Sequence, residues 1–351
     1  EEFRIGLQND PIGMALDRLL ATSLQGTPYA WTPAGTLEGI DAITTEDLQD
    51  FYADYYTPNN AVLVIAGDTD IHTATQLAEK AFGSIGSRET PLRSEAVLPE
   101  REEPLYGEIT MPLQLPTILG GYVIPGSVSA DNTALQMAGL ILSAGQSSRL
   151  YRRLVRETGL AVAAVGYAQP FRDVGLFLNL AFHLDHIEAD AVIQEMRSEI
   201  EGLAAKPPTE AEMDKARNQI AASYAFSLDS LDGIANAIGS AVLLGQGIEE
   251  FEQALDMYFQ TTVQDIELVV DKYLRPEHLT FLAIRPGPAP EESTIVEQAS
   301  KPQMASPEEE EVALDKAVLK ELASEVGLSS PHAERVSLPP ITQFSLSNGL
   351  E

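Results

Sequence analysis

The sequence predicts an α+β protein made of two tandem domains of one type, each a mixed or antiparallel sheet packed against helices on one face. Three observations carry this. Strands come in consecutive pairs, separated by groups of helices. A motif of one helix, a proline and a strand occurs twice in the same register. And 351 residues, 44% of them hydrophobic, are enough to bury two cores.

The elements follow in order. Residues 9–24 read as a helix, with Ile12, Leu16, Leu19, Leu20 and Leu24 at helical spacing behind an Asp10-Pro11 start signal. Residues 26–39 are turn-rich and hold Pro28, Pro33 and the single tryptophan, Trp31. A second helix spans 45–56. Thr44 and Asp47 stand at capping-box spacing, Leu48, Phe51 and Tyr55 form its apolar stripe, and Pro58 stops it. Residues 61–66, short, apolar and β-branched, are expected to be a buried strand. A helix over 71–82 closes the first unit, residues 1–85, and a Ser-, Pro-, Arg- and Glu-rich connector runs over 86–103.

The second unit, 104–288, opens with strands at 105–111 and 117–124. A helix at 130–142 follows, with Ser129 or Asp131 near its cap. The next helix starts after Gly145 and carries Leu150, Leu154 and Val155. Strands at 161–167 and 176–183 precede long helices at 188–204 and 210–244, separated by Lys206-Pro207-Pro208. A helix at 263–274 and a strand at 279–284 end the unit.

The repeat lies at the end of each unit. Thr44-Thr45-Glu46-Asp47-Leu48 leads to Tyr55-Tyr56-Thr57-Pro58 and then to 62–65. Thr262-Val263-Gln264-Asp265-Ile266 leads to Tyr273-Leu274-Arg275-Pro276 and then to 280–283. Such a match points to a duplicated domain. After Pro286 the composition turns to Pro, Glu, Ala and Ser, so 289–340 reads as an acidic linker with one helix near 307–327. Residues 341–351 alternate apolar and polar and carry Ser347-Asn348-Gly349, a strand leading into a hairpin turn and the expected start of a third domain.

Charge excludes whole classes of partner. With 53 acidic and 22 basic residues the chain carries −31, which repels nucleic acid and anionic membranes, so neither is expected as a partner. No run approaches the roughly eighteen apolar residues of a spanning helix. The absence of cysteine removes disulfides and thiolate metal sites. Seven lysines against fifteen arginines, on so acidic a chain, fit a protein built for high salt.

Several motifs resemble one family. Phe51-Tyr52-Ala53-Asp54-Tyr55-Tyr56-Thr57-Pro58-Asn59-Asn60, followed by Val62-Leu63-Val64-Ile65-Ala66-Gly67-Asp68, resembles the segment that closes the first domain of pitrilysin (insulinase, M16) zinc metallopeptidases. Ser143-Ala144-Gly145-Gln146-Ser147-Ser148-Arg149-Leu150-Tyr151, with Gly159-Leu160-Ala161, resembles the signature of their second domain. Residues 341–351 resemble the opening strand of the next repeat. Nearly all the chain outside the linker is covered.

The resemblance implies a metal held by His-x-x-Glu-His and a glutamate well downstream. Three such ligands leave one zinc position for water, whose pKa the metal lowers, and the motif's glutamate takes the proton. None of His72, His183, His186, His278 and His332 forms that motif, which is expected upstream of Glu1. What remains is the third ligand, Glu2, favoured over Glu1. Zn2+ would then belong to the parent protein, with no cofactor expected in this chain, no catalytic residue, and no activity alone. Where second domains of the family often carry Arg and Tyr to steady the substrate carbonyl, this chain has Val155 and Val162. Arg156 sits one residue away, about 100° round a helix.

The chain is thus expected to be the zinc-carrying first half of a two-repeat metalloendopeptidase, its first domain incomplete. Expected partners are peptide substrates, the missing N-terminal segment and the second repeat. Unpaired sheet edges would also allow a homo-oligomer. The alternative is a non-catalytic scaffold or binding homologue; an unrelated acidic binding module would require the repeat and the motifs to be coincidental. Glu1–Arg4 shows no export signal; a bacterial protein, periplasmic or cytoplasmic, is expected, and the residues do not fix the compartment. His183-Leu184-Asp185-His186 reads as a polar strand end, and Gly145-Gln146-Ser147-Ser148, without a phosphate-loop lysine, as a helix cap. There is no Ser/His/Asp triad.

Overall fold

The structure, a computed structural model, describes residues 10–33, 35–93, 96–287 and 341–350. Among the described residues four helices come first: α1 (Pro11–Ser23), α2 (Leu37–Ala42), α3 (Thr45–Tyr55) and α4 (Ile71–Phe82). Then follow β1 (Leu105–Met111), β2 (Thr117–Pro125), α5 (Asn132–Ser143), a π-helix (Tyr151–Glu157), β3 (Ala163–Pro170) and β4 (Val174–Phe182). The last group is α6 (Ala189–Glu201), α7 (Glu210–Ser227), α8 (Leu231–Leu243), α9 (Ile248–Gln260), α10 (Val263–Tyr273) and β5 (Leu279–Pro286).

The five strands form one mixed sheet in the order β1-β5-β2-β4-β3. β5, the last of the described strands, inserts between β1, to which it is parallel, and β2, to which it is antiparallel. β2 reads Thr-Ile-Leu-Gly-Gly-Tyr-Val-Ile-Pro, without polar alternation, because it is central and buried on both faces. On one face Ile118, Tyr122, Phe177 and Phe281 pack against α5, α6, α10 and the π-helix. The other face is also covered, where helices on one face only were expected. There α1 lays Ala15, Leu19, Leu20 and Leu24 on Leu119, Val123, Leu176 and Leu282. Gly121 makes room, since a Cβ on it would stand 3.2 Å from Leu19 Cδ2. Arg101 fastens the end of α1: it donates to Thr22 O at 2.7 Å, to Ser23 O, and to Thr280 Oγ1 on β5 at 2.9 Å.

The repeat is a repeat of structure. Thr44 Oγ1 accepts from Asp47 N at 3.2 Å while Asp47 Oδ2 accepts from Thr44 N at 2.8 Å. Thr262 and Asp265 make the same pair of bonds at the same distances. Each helix ends before a proline that opens a short 3₁₀ turn, Pro58–Asn60 and Pro276–His278. The surroundings, however, differ. Ile266 is 0% exposed and Tyr273 6%, whereas their counterparts Leu48 and Tyr55 are 61% and 39% exposed.

Residues 61–66 correct the expectation of a buried strand. They pair with no strand among the described residues, and Val62 and Ile65 are exposed. A strand is completed by its neighbours, and β5, the counterpart of this segment, has two of them. Instead Leu63 joins Ala78, Leu346 and Leu350, and Val64 joins Ile238, Ala241 and Ile341. The turn expected near Asn348 is present, but the strand expected to lead into it is not, since 341–346 pair with no strand among the described residues: Gly349 N donates to Leu346 O at 3.0 Å, Leu346 N to Leu350 O at 2.8 Å, and Gly349 has φ +82°. Asn348 Nδ2 anchors it on the end of α4, donating to Phe82 O and Ile85 O at 2.9 Å each.

Two helical expectations also change. The single helix over 210–244 is two, because Ser230 Oγ accepts from Gly233 N at 2.9 Å and starts α8 afresh. α9 occupies a stretch where no element was expected.

Candidate functional site

The residues singled out from the sequence do not converge. Glu1 and Glu2 lie outside the described residues. Val155 packs against the helix-side core, and Val162 is exposed just before β3. Arg156 donates to Gln146 Oε1 at 2.9 Å and lies 5.7 Å from the Tyr151 ring centre, so its guanidinium is held near its own helix. That helix carries an i→i+5 bond, Thr158 N to Arg153 O at 3.0 Å. His183 is buried at the end of β4, with Nδ1 3.1 Å from Leu184 O, while Asp185 and His186 are exposed in the following turn. His72 contacts Gln76 and His278 contacts Tyr273 O, each at 3.0 Å. Among the described residues no three His, Cys, Asp or Glu side chains group to hold a metal, so these residues do not fit a zinc site.

The loop after α5 closes the C-terminal end of that helix, whereas Ser148 Oγ makes no capping bond, among the described residues, to the helix that follows. Lys215 Nζ donates to Ala144 O at 2.6 Å and to Ser147 Oγ at 2.8 Å, and Gly145 takes φ +77°. Beside it Arg149 grips Glu212 at 2.8 and 2.9 Å, which with the Thr209 cap pulls the Glu212 carboxyl down to about 2.

Two surfaces stand out. One is the apolar face of α3. Phe51 and Tyr55 pack tilted with ring centres 4.6 Å apart, Tyr52 and Tyr56 stack with centres 4.9 Å apart, and Leu48 lies on the same exposed helix. The unpaired segment 61–66 follows it. Contiguous exposed apolar groups of this kind mark a contact surface.

The other is a cleft of about 500 Å³ between β3, α5 and α7, with Tyr258 of α9 contributing to its lining. Gly139 lets α5 close on the strand: a Cβ there would stand 3.1 Å from Tyr167 Cα. The outer edge of β3 is blunted. Phe171 N bonds to Val174 O at 2.8 Å, which sets the ladder so that 164, 166, 168 and 170 turn their backbone groups outward. Ser143 Oγ accepts from Gly166 N, and Pro170 has no N–H. In the lining, Tyr258 Oη donates to Gln136 Oε1 at 2.8 Å, and burial pushes its pKa up to about 12. Gln219 Oε1 is buried with no hydrogen-bond partner among the described residues. No charged residue lines the cleft. Sequence reasoning missed it because four separated elements build it, one of them α9.

Fold and site together define a class: a duplicated α+β framework whose second copy has a five-stranded sheet and no metal-binding group among the described residues. Residues 42–220, half the chain, match the family described as the peptidase M16 inactive domain, and the chain belongs to the peptidase M16 family. It is 26% identical over 294 residues to the zinc protease PqqE of Helicobacter pylori, covering 82% of this chain and 65% of that protein. To the mitochondrial-processing peptidase subunit beta of Lentinula edodes it is 27% identical over 276 residues, covering 74% and 58%. The crystal structure of a protease from Helicobacter pylori superposes with a TM-score of 0.73 at 25% identity, covering 80% of this chain and 69% of that one. A peptidase M16 inactive domain from Pseudomonas fluorescens shares the fold, with a TM-score of 0.72 at 19% identity and 83% and 68% coverage. The chain therefore spans less than two thirds of the length of these two curated relatives.

Proposed function

We propose that the chain is a framework and peptide-handling part of a zinc-dependent M16 endopeptidase, and that a metal-bearing stretch of polypeptide docks on α3 and residues 61–66. One observation carries this reading: positions buried in the second copy of the repeat are exposed in the first. β5 has a parallel and an antiparallel neighbour, so its counterpart at 61–66 is matched to a sheet brought from elsewhere, with Leu48, Phe51, Tyr52 and Tyr55 beneath it. The two zinc histidines and the catalytic glutamate would come with that sheet, Glu2 of this chain would complete the ligand set, and the chain alone would be inactive. Val155 and Val162 favour a second reading, in which the assembled protein is a non-catalytic scaffold, because neither side chain can donate to a substrate carbonyl.

Co-expression with a polypeptide carrying a His-x-x-Glu-His helix and first-domain strands tests both. The expected outcome is a complex with one bound zinc that cleaves a quenched fluorescent peptide, while the chain alone, given zinc, does not. Cleavage by the chain alone, or no complex, would overturn the proposal. A complex with zinc and no cleavage would support the scaffold reading instead.

A further inference from the structure

We infer that residues 341–350 are a reversible cover along one edge of residues 61–66, and that this cover must lift before an incoming sheet can pair there. That a sheet comes to 61–66 rests on the docking reading above; the cover rests on its own contacts. Residues 62–66 make no backbone hydrogen bond among the described residues, so they present the open row of N–H and C=O groups that recruits strands. Leu63 and Val64 are consecutive yet lie in separate clusters, Leu63 with Ala78 of α4 and Val64 with Ile238 of α8, so they point to opposite sides. The segment 341–350 reaches both. Phe344, Leu346 and Leu350 join Leu63, while Ile341 joins Val64. A segment that touches both sides of an extended run passes along its edge. It adds no backbone bond to that edge, so it shields the run without completing it. β5, the counterpart of 61–66, is paired on both edges, so a sheet that completes 61–66 in the same way must take the covered edge too.

The hold is specific and small. Asn348 Nδ2 donates to Phe82 O and Ile85 O at 2.9 Å each, and its Oδ1 accepts from Leu350 N at 3.4 Å. An aspartate in its place would set a carboxylate oxygen against two carbonyls. Glycine is required next to it, because a Cβ on Gly349 would stand 2.8 Å from Asn59 Cβ at a backbone φ of +82°. Asn59 is itself fixed: its Nδ2 donates to Arg88 O at 2.8 Å, and its Oδ1 accepts from Arg88 N at 3.1 Å and Thr57 Oγ1 at 2.7 Å. The receiving surface is thus held by its own bonds, and the turn is the part that comes and goes. Helix α3 stays outside the cover, with Leu48, Phe51, Tyr52 and Tyr55 exposed. A partner can therefore settle on α3 first and displace the cover afterwards.

The test uses the full chain, in which added thiols are unique because it has no cysteine. Ser84→Cys with Ser347→Cys puts two exposed thiols beside the Asn348 bonds, and a short bismaleimide ties the cover shut. The tied chain should bind the His-x-x-Glu-His polypeptide at least about tenfold more weakly than the untied double variant, which should match the parent. Asn348→Asp and, separately, Leu350→Ala loosen the cover. A fluorescein-labelled peptide of sequence 341–350 should bind either variant at least about fivefold more tightly than the parent, whose own segment fills the site. Equal complex formation by tied and untied chains would overturn the inference, as would equal peptide binding by parent and variants. If neither tied nor untied chain forms the complex, the docking reading fails. Peptide preference for the variants then upholds the cover, and equal binding overturns it.

Discussion

Ile266 and Leu48 occupy equivalent places in the two copies of the repeat, and truncating each to alanine separates an embedded copy from an open one. Ile266 is fully buried under the sheet, so Ile266→Ala removes methyl and methylene groups and leaves a cavity, a change that costs about 2–5 kcal/mol in a close-packed core. Leu48 is 61% exposed and loses little contact on truncation, so Leu48→Ala should stay within about 0.5 kcal/mol of the parent. Urea unfolding followed by circular dichroism, with the single tryptophan, Trp31, as a second probe, measures both. In the reconstituted complex the order changes: Leu48 becomes a buried contact, and Leu48→Ala should weaken association by about 1–2 kcal/mol, five- to thirtyfold. A loss of 2 kcal/mol or more from Leu48→Ala in the isolated chain would refute the argument, because the first copy would then already be packed.

Three further outcomes follow from the geometry. Glu212 titrates in the folded state at about 2, below its ordinary 4.5, so its contribution is present above 4.5 and is lost as pH falls through about 2. With a quarter of that side chain exposed, screening leaves about 1 kcal/mol, and Glu212→Gln should flatten the stability loss between pH 4.5 and 2 in acid unfolding. Leu19→Ala should cost about 3 kcal/mol and Gly121→Ala about 1–3, and the pair should cost less than their sum, since removing Leu19 relieves one of the two leucines, Leu19 and Leu176, that crowd the new Cβ; denaturant midpoints check this. A chain of −31 should melt at a higher temperature in molar KCl than in dilute buffer, and an unchanged melting temperature would remove the high-salt reading.

What the sequence made legible was local. Thr44 and Thr262 cap helices by bonds between neighbours, Pro58 and Pro276 stop them, and the strands of the central sheet announce themselves by apolar, β-branched runs. What escaped depends on distant parts. A run such as 61–66 looks like a strand, but a ladder needs partners that periodicity cannot count. Helix α1 reads as amphipathic without saying that its apolar side rests on Leu119 and Leu282. The break at Ser230, by contrast, is signalled by Ser227-Leu228-Asp229-Ser230-Leu231-Asp232-Gly233, a stretch rich in cap and turn residues that the single-helix reading runs through. The cleft had no motif at all: its lining comes together only when three helices and a strand converge. The family's second-domain signature was readable residue by residue, yet Val155 and Val162 supply no chemistry, and Glu2 lies outside the described residues.

The matched capping boxes of α3 and α10 have a thermodynamic consequence. One copy is buried and the other is half in water, yet the N-cap torsions agree within a degree, −97° and 167° against −98° and 167°. Shape here is set by the Thr–Asp bond and the proline rather than by the surroundings. The exposed copy is therefore already in its bound form. A partner settling on it need not order the helix first, so association should be fast and carry a smaller entropic penalty than folding on contact would impose.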